Sequence, residues 1–78
     1  MNFKIHPSET LMEIMYNKGI TITELSQSSG MTQEEILRLL EGNQNFSKDV
    51  AEKLEKSIGI TKTFWMNLQA IYEEEERF

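Results

Sequence analysis

Residues 30–43 read "GMTQEEILRLLEGN", and the fold turns on them. Thr32 followed three residues later by Glu35 is a reciprocal capping arrangement, in which the hydroxyl caps the helix start and the carboxylate reaches back to the cap's own N–H. Ile36 and Leu39, with Leu40 beside them, then fall at helical spacing on one face, and Gly42 closes the segment. Gly30 stands in front, suited to the positive φ of a tight turn out of a preceding helix. The stretch predicts a short helix entered through a sharp turn and buried on one side. Its outward residues, Gln33, Glu34, Leu37 and Arg38, include a single cation.

Working outward, the same signals recur. Upstream, Thr21 and Glu24 repeat the capping box, Leu25 anchors a second short helix, and Ser28, Ser29 and Gly30 end it. Ahead of that, Pro7 sits where a helix start tolerates proline, and Leu11, Ile14 and Met15 lay down one buried stripe before "NKG" stops at Gly19. Downstream, Phe46 is expected to turn inward before a Ser47 cap, and Val50, Ala51, Leu54 and Ile58 line a helix that ends at Gly59. The last helix opens at Thr61. It carries two apolar rows, Phe64, Leu68, Ile71 and Trp65, Leu68, Tyr72, which together are wider than one core contact needs, so part of this face is expected to meet a partner. With no strand-like alternation after residue 6, the chain is expected to be all-α, five helices in one domain spanning residues 1–78.

Composition narrows the function classes. The 78 residues include no cysteine and one histidine, so neither a disulfide framework nor a Cys/His zinc site can form. The start "MNFKIHPSET" lacks the apolar core of a signal peptide, and no apolar run is long enough for a membrane, so a soluble cytoplasmic protein is expected. The net charge is −5, which argues against indiscriminate affinity for nucleic acid. Its distribution is uneven: between residues 19 and 42 Arg38 faces Glu24, Glu34, Glu35 and Glu41, while "EEEERF" at 73–78 reads as a solvated helix end.

A short helix, a turn built on glycine and a second short one-faced helix form the helix-turn-helix unit, whose second member enters the major groove of DNA. Leu25, Gly30, Met31, Ile36 and Leu39 supply its first-helix anchor, turn, plug and second-helix anchors. Beyond this unit, "HPSETLMEIMYNKGI", "TELSQSSGM", "ILRLLEGN" and "LEKSIGITKTFWMNLQAIYE" together resemble the HigA/VapI antitoxin branch of the XRE-type helix-turn-helix family over nearly the whole chain. The most specific parts are His6, Pro7 and Glu9 at the start and the pattern from Phe64 to Tyr72 at the end. The resemblance implies a five-helix repressor-like fold with the motif at the second and third helices. It also implies a dimer that represses its own operon and, as an antitoxin, binds a ribonuclease toxin.

Departures from that pattern fall on the DNA side. Thr21-Ile22 replaces the usual Ser-Gln, Ser26 a usual alanine, and Gln33, Glu34 and Leu37 stand where Arg, Ser and Ser or Thr are common; Asn43 takes the place of a loop cation. A specific site commonly uses about six to ten phosphate contacts, so binding here is weak unless a second protomer or Lys48, Lys53, Lys56 and Lys62 contribute. The expected operator-contacting residues are Thr21, Thr32, Gln33, Glu34, Leu37, Arg38, Asn43 and Asn45. Trp65, Met66, Leu68 and Tyr72 are the expected dimer or toxin interface. The alternative is a repressor-like scaffold used for protein interaction, with weak or absent DNA binding.

Blander readings account for the remaining chemistry. His6 beside Pro7 reads as packing or capping at the helix start, since one histidine without cysteine holds no metal well. Met12, Met15, Met31 and Met66 read as gap-fillers. No nucleophile with a base, no carboxylate pair in distinct environments and no phosphate-cradling glycine loop is present, so no enzymatic activity and no cofactor is expected.

Overall fold

The computed structural model describes residues 6–76. Five helices follow in order: α1 (Pro7–Lys18), α2 (Ile22–Ser29), α3 (Gln33–Leu40), α4 (Lys48–Ile58) and α5 (Lys62–Glu76). Residues 1–5 of the N-terminal stretch and Arg77 and Phe78 of the acidic end lie outside the described residues. Backbone helix continues to Glu76, and Glu73 and Glu74 are exposed.

The helix boundaries are set by side chains local in sequence. His6 caps α1, its Nδ1 accepting from the Ser8 N–H at 3.0 Å while its own N–H donates to the Glu9 carboxylate at 3.2 Å. Thr21, Thr32 and Ser47 cap α2, α3 and α4. Each satisfies an N–H that the helix itself cannot.

α2 packs on α3 and α4, α1 on α3 and α5, and α4 on α5. Between them lie Leu11, Met15, Leu25, Met31, Ile36, Leu39, Phe46, Val50, Ala51, Leu54 and Trp65, all buried. Burial of each large aliphatic side chain contributes about 1.5–3 kcal/mol. Phe46 turns inward and stacks on Trp65, with ring centroids 5.5 Å apart.

α5 departs from the two-row reading. Trp65 is 0% and Gln69 4% exposed, whereas Phe64 and Ile71 face solvent. The expectation that Trp65 serves a dimer or toxin surface is therefore corrected, because Trp65 belongs to the protomer's own core. Gln69 is inside because its amide is fully used. Oε1 accepts from the Phe46 N–H at 2.9 Å, and Nε2 donates to Asn45 Oδ1 at 3.3 Å and to Glu73 at 3.2 Å. Buried polar groups are tolerated when so paired.

Candidate nucleic-acid interface

The turn between α2 and α3 is built by serines. Gly30 adopts φ 81° at the end of α2, a conformation a side chain would strain. Met31 follows as a buried plug. Its carbonyl accepts from Ser26 Oγ at 2.6 Å, and its N–H donates to Ser29 Oγ at 3.1 Å. Both polar groups of a buried backbone unit are thus satisfied. Ser26, which departs from the common alanine, adds a bond that fixes the angle at which α3 leaves the turn.

α3 is divided sharply by this placement. Ile36 and Leu39 are 0% exposed, while Gln33, Glu34, Leu37 and Arg38 all face outward. The outer surface forms two rows at i, i+4 spacing. In one, the Arg38 guanidinium donates to the Glu34 carboxylate at 2.6 Å. An exposed pair of this kind adds only about 0.2–1 kcal/mol to stability, but it neutralises the only basic residue between 19 and 47. In the other row, Gln33 Nε2 donates to Thr23 Oγ1 of α2 at 3.3 Å, and Leu37 is 46% exposed.

The helix N-termini are less open to phosphate than their cap residues suggest. Thr21 Oγ1 accepts from the Glu24 N–H at 3.1 Å and donates to the Glu24 carboxylate at 3.0 Å. Thr32 has the same relation to Glu35, with distances of 3.1 and 3.2 Å. Each capping box therefore sets a carboxylate beside the positive helix end that an anion would approach. Glu35 is turned back on its own backbone, as its capping role implied.

The remaining expected residues separate. Asn43 is exposed beyond α3, its N–H donating to the Arg38 carbonyl at 3.1 Å. Asn45 is exposed, but its amide oxygen receives the Gln69 hydrogen bond, so it also belongs to the α5 anchor. Lys53 pairs with Asp49 at 3.1 Å and Lys62 with Glu52 at 3.5 Å, which leaves these two lysines less free for phosphate. Met66 and Leu68 are half-buried against the core, and the Tyr72 ring meets His6 edge-on at 4.7 Å. The large exposed apolar residues described on α5 are instead Phe64 and Ile71, both in the row that shares Leu68.

Two residues were missed at the level of sequence. Thr23 had no motif to mark it, although its place two residues after the Thr21 cap puts it in the first turn of α2. Gln69 is polar within an apolar helix, a pattern that signals a buried hydrogen bond. Among the described residues no group of three His, Asp or Glu side chains could hold a metal ion, and no helix is long and apolar enough to cross a membrane.

Residues 11–65 match the helix-turn-helix family. Among curated proteins, none matches the sequence. Two solved structures are similar over most of the chain. One is an addiction module antidote protein of the HigA family from Coxiella burnetii, with TM-score 0.83 and 28% identity, covering 94% of this chain and 80% of the other. The second is a protein from Nostoc punctiforme assigned as an antidote of a plasmid maintenance system, with TM-score 0.81 and 26% identity, covering 88% and 76%. Their likeness extends past the matched 11–65 segment.

Proposed function

The chain belongs to the helix-turn-helix family, and we propose that it is a small DNA-binding regulator of antitoxin type, acting as a dimer on its own operator and binding a ribonuclease toxin. One observation carries the reading of DNA binding. α3 is anchored by Ile36 and Leu39 with no exposure, so it offers Gln33, Glu34, Leu37 and Arg38 together on a rigid outer face. The antidote assignments of the similar structures support a toxin partner. Thr21 and Thr32 open the two helices that face the phosphates, each beside the carboxylate of its own capping box, so their contribution is small, and Asn43 and Asn45 flank the reading helix.

Titration of the protein on duplex from its own upstream region, at low and moderate salt, tests this. A retarded complex at low salt is expected, weakened by Arg38→Ala, which removes the cation and bares Glu34. Absence of a complex at low salt overturns the DNA reading.

A second reading is favoured by the Glu34–Arg38 pair. A reading helix with no free cation also suits a scaffold that contacts protein through Leu37, Phe64 and Ile71. Co-expression with the neighbouring reading frame separates the two. A stoichiometric complex whose formation needs Leu37, with no duplex binding, selects this alternative.

A further inference from the structure

We propose that α3 recognises a duplex element in which an adenine lies within about one or two base pairs of a thymine methyl, read by the Gln33–Leu37 row, with Thr23 of α2 as the positioning residue. The inference rests on the DNA reading above and specifies its ligand.

The chemistry follows from what each side chain has left to offer. A carboxamide nitrogen carries two hydrogens, so the bond from Gln33 Nε2 to Thr23 Oγ1 uses one, and the amide keeps one donor hydrogen and the Oε1 acceptor. A donor and an acceptor side by side match adenine N7 and N6 in the major groove and no other base edge as well. The tether fixes the amide before DNA arrives, which removes part of the ordering cost of a flexible glutamine. One turn on, Leu37 is 46% exposed with no polar atom to offer. Its apolar complement in the groove is the thymine methyl.

The neighbouring row explains why base readout carries the recognition. Glu34 holds Arg38 at 2.6 Å, and Glu24 and Glu35 sit at the two helix starts. Phosphate attraction is therefore small at this surface, and discrimination falls to the neutral row. Thr23, Gln33 and Leu37 are all exposed, so their substitution leaves the core intact.

The test starts with the full chain and a duplex library of randomised core, selected at low salt. The best duplex is then remade with 7-deazaadenine, which lacks the N7 acceptor, or with uracil, which lacks the methyl. Selected sites are expected to share the adenine and the nearby thymine. The deaza base, which removes one of the two hydrogen bonds, should weaken wild-type binding roughly two- to twelve-fold and leave Gln33→Ala binding unchanged. Uracil should weaken wild type about fourfold and leave Leu37→Ala unchanged. Thr23→Val should reduce the preference for adenine while keeping the full uracil effect, which a merely structural threonine would not do. Selected sites without this pair, or analogue effects equal in wild type and variant, overturn the inference and leave DNA binding standing. Retention of no duplex at low salt overturns the DNA reading and this inference together.

Discussion

The turn unit α2–α3 and the closure made by α1, α5 and the loop before α4 solve different problems by different means. In the turn unit, most bonds run between residues two to five apart, as in the capping boxes and the Ser26 and Ser29 contacts to Met31, with the Gln33–Thr23 bond spanning ten. In the closure they run between the ends of the chain: His6 meets Tyr72 and Phe46, Phe46 stacks on Trp65, and Gln69 holds the Phe46 backbone. The first arrangement shapes a surface, and the second makes a small core cohere. The residues most specific to the family resemblance, His6 and Pro7 at the start and Trp65, Gln69 and Tyr72 at the end, lie in the closure. They mark how this chain folds and take no part in the outer face of α3.

If that division holds, disruption of the closure should cost most. Trp65→Ala removes the largest fully buried side chain and should lower unfolding free energy by about 3–5 kcal/mol, read from a denaturant midpoint; a loss under half of that would place the indole outside the cooperative core. Gln69→Ala comes next, because the buried Phe46 N–H loses its acceptor. About 1–3 kcal/mol is expected, whereas Asn45→Ala, which frees one Gln69 N–H while Glu73 still accepts from the same nitrogen, should cost less, about 0.5–1 kcal/mol. Equal losses for the two would show that Asn45, not the Phe46 N–H, is what Gln69 serves.

Within the turn unit the effects should be smaller and of another kind. At Gly30 an added Cβ meets no atom within 4 Å, so Gly30→Ala tests backbone strain alone. The left-handed conformation should cost about 1–2 kcal/mol, visible as a lowered melting temperature. Smallest in stability is Glu34→Gln, at no more than about 0.5 kcal/mol, yet it should change binding. Freed Arg38 can take a phosphate, so the slope of log K against log salt should steepen by about 0.9 per protomer. An unchanged slope would mean that Arg38 already reaches phosphate despite Glu34.

Most of the turn unit was legible because its determinants are neighbours in sequence. Thr32 and Glu35 announce their capping box three residues apart, and Gly30 announces its turn. The Glu34–Arg38 pair was equally legible at i, i+4, and reading the two residues separately as base and phosphate contacts missed their mutual neutralisation. The α5 anchor was less legible. Two apolar rows competed for one inward face, and hydropathy favoured Ile71 over Gln69, although the buried row runs through Trp65 and Gln69.

The sequence by itself determined five helices, the caps and glycines that bound the first four, and the one-sided burial of α3, because caps, glycines and periodicity act over a few residues of chain. Only the tertiary structure decided which side of α5 is core, that Asn45 braces Gln69, and that Thr23 holds Gln33. Those outcomes depend on which unsatisfied backbone groups and ring faces meet after the helices pack, and no spacing along the chain encodes that meeting.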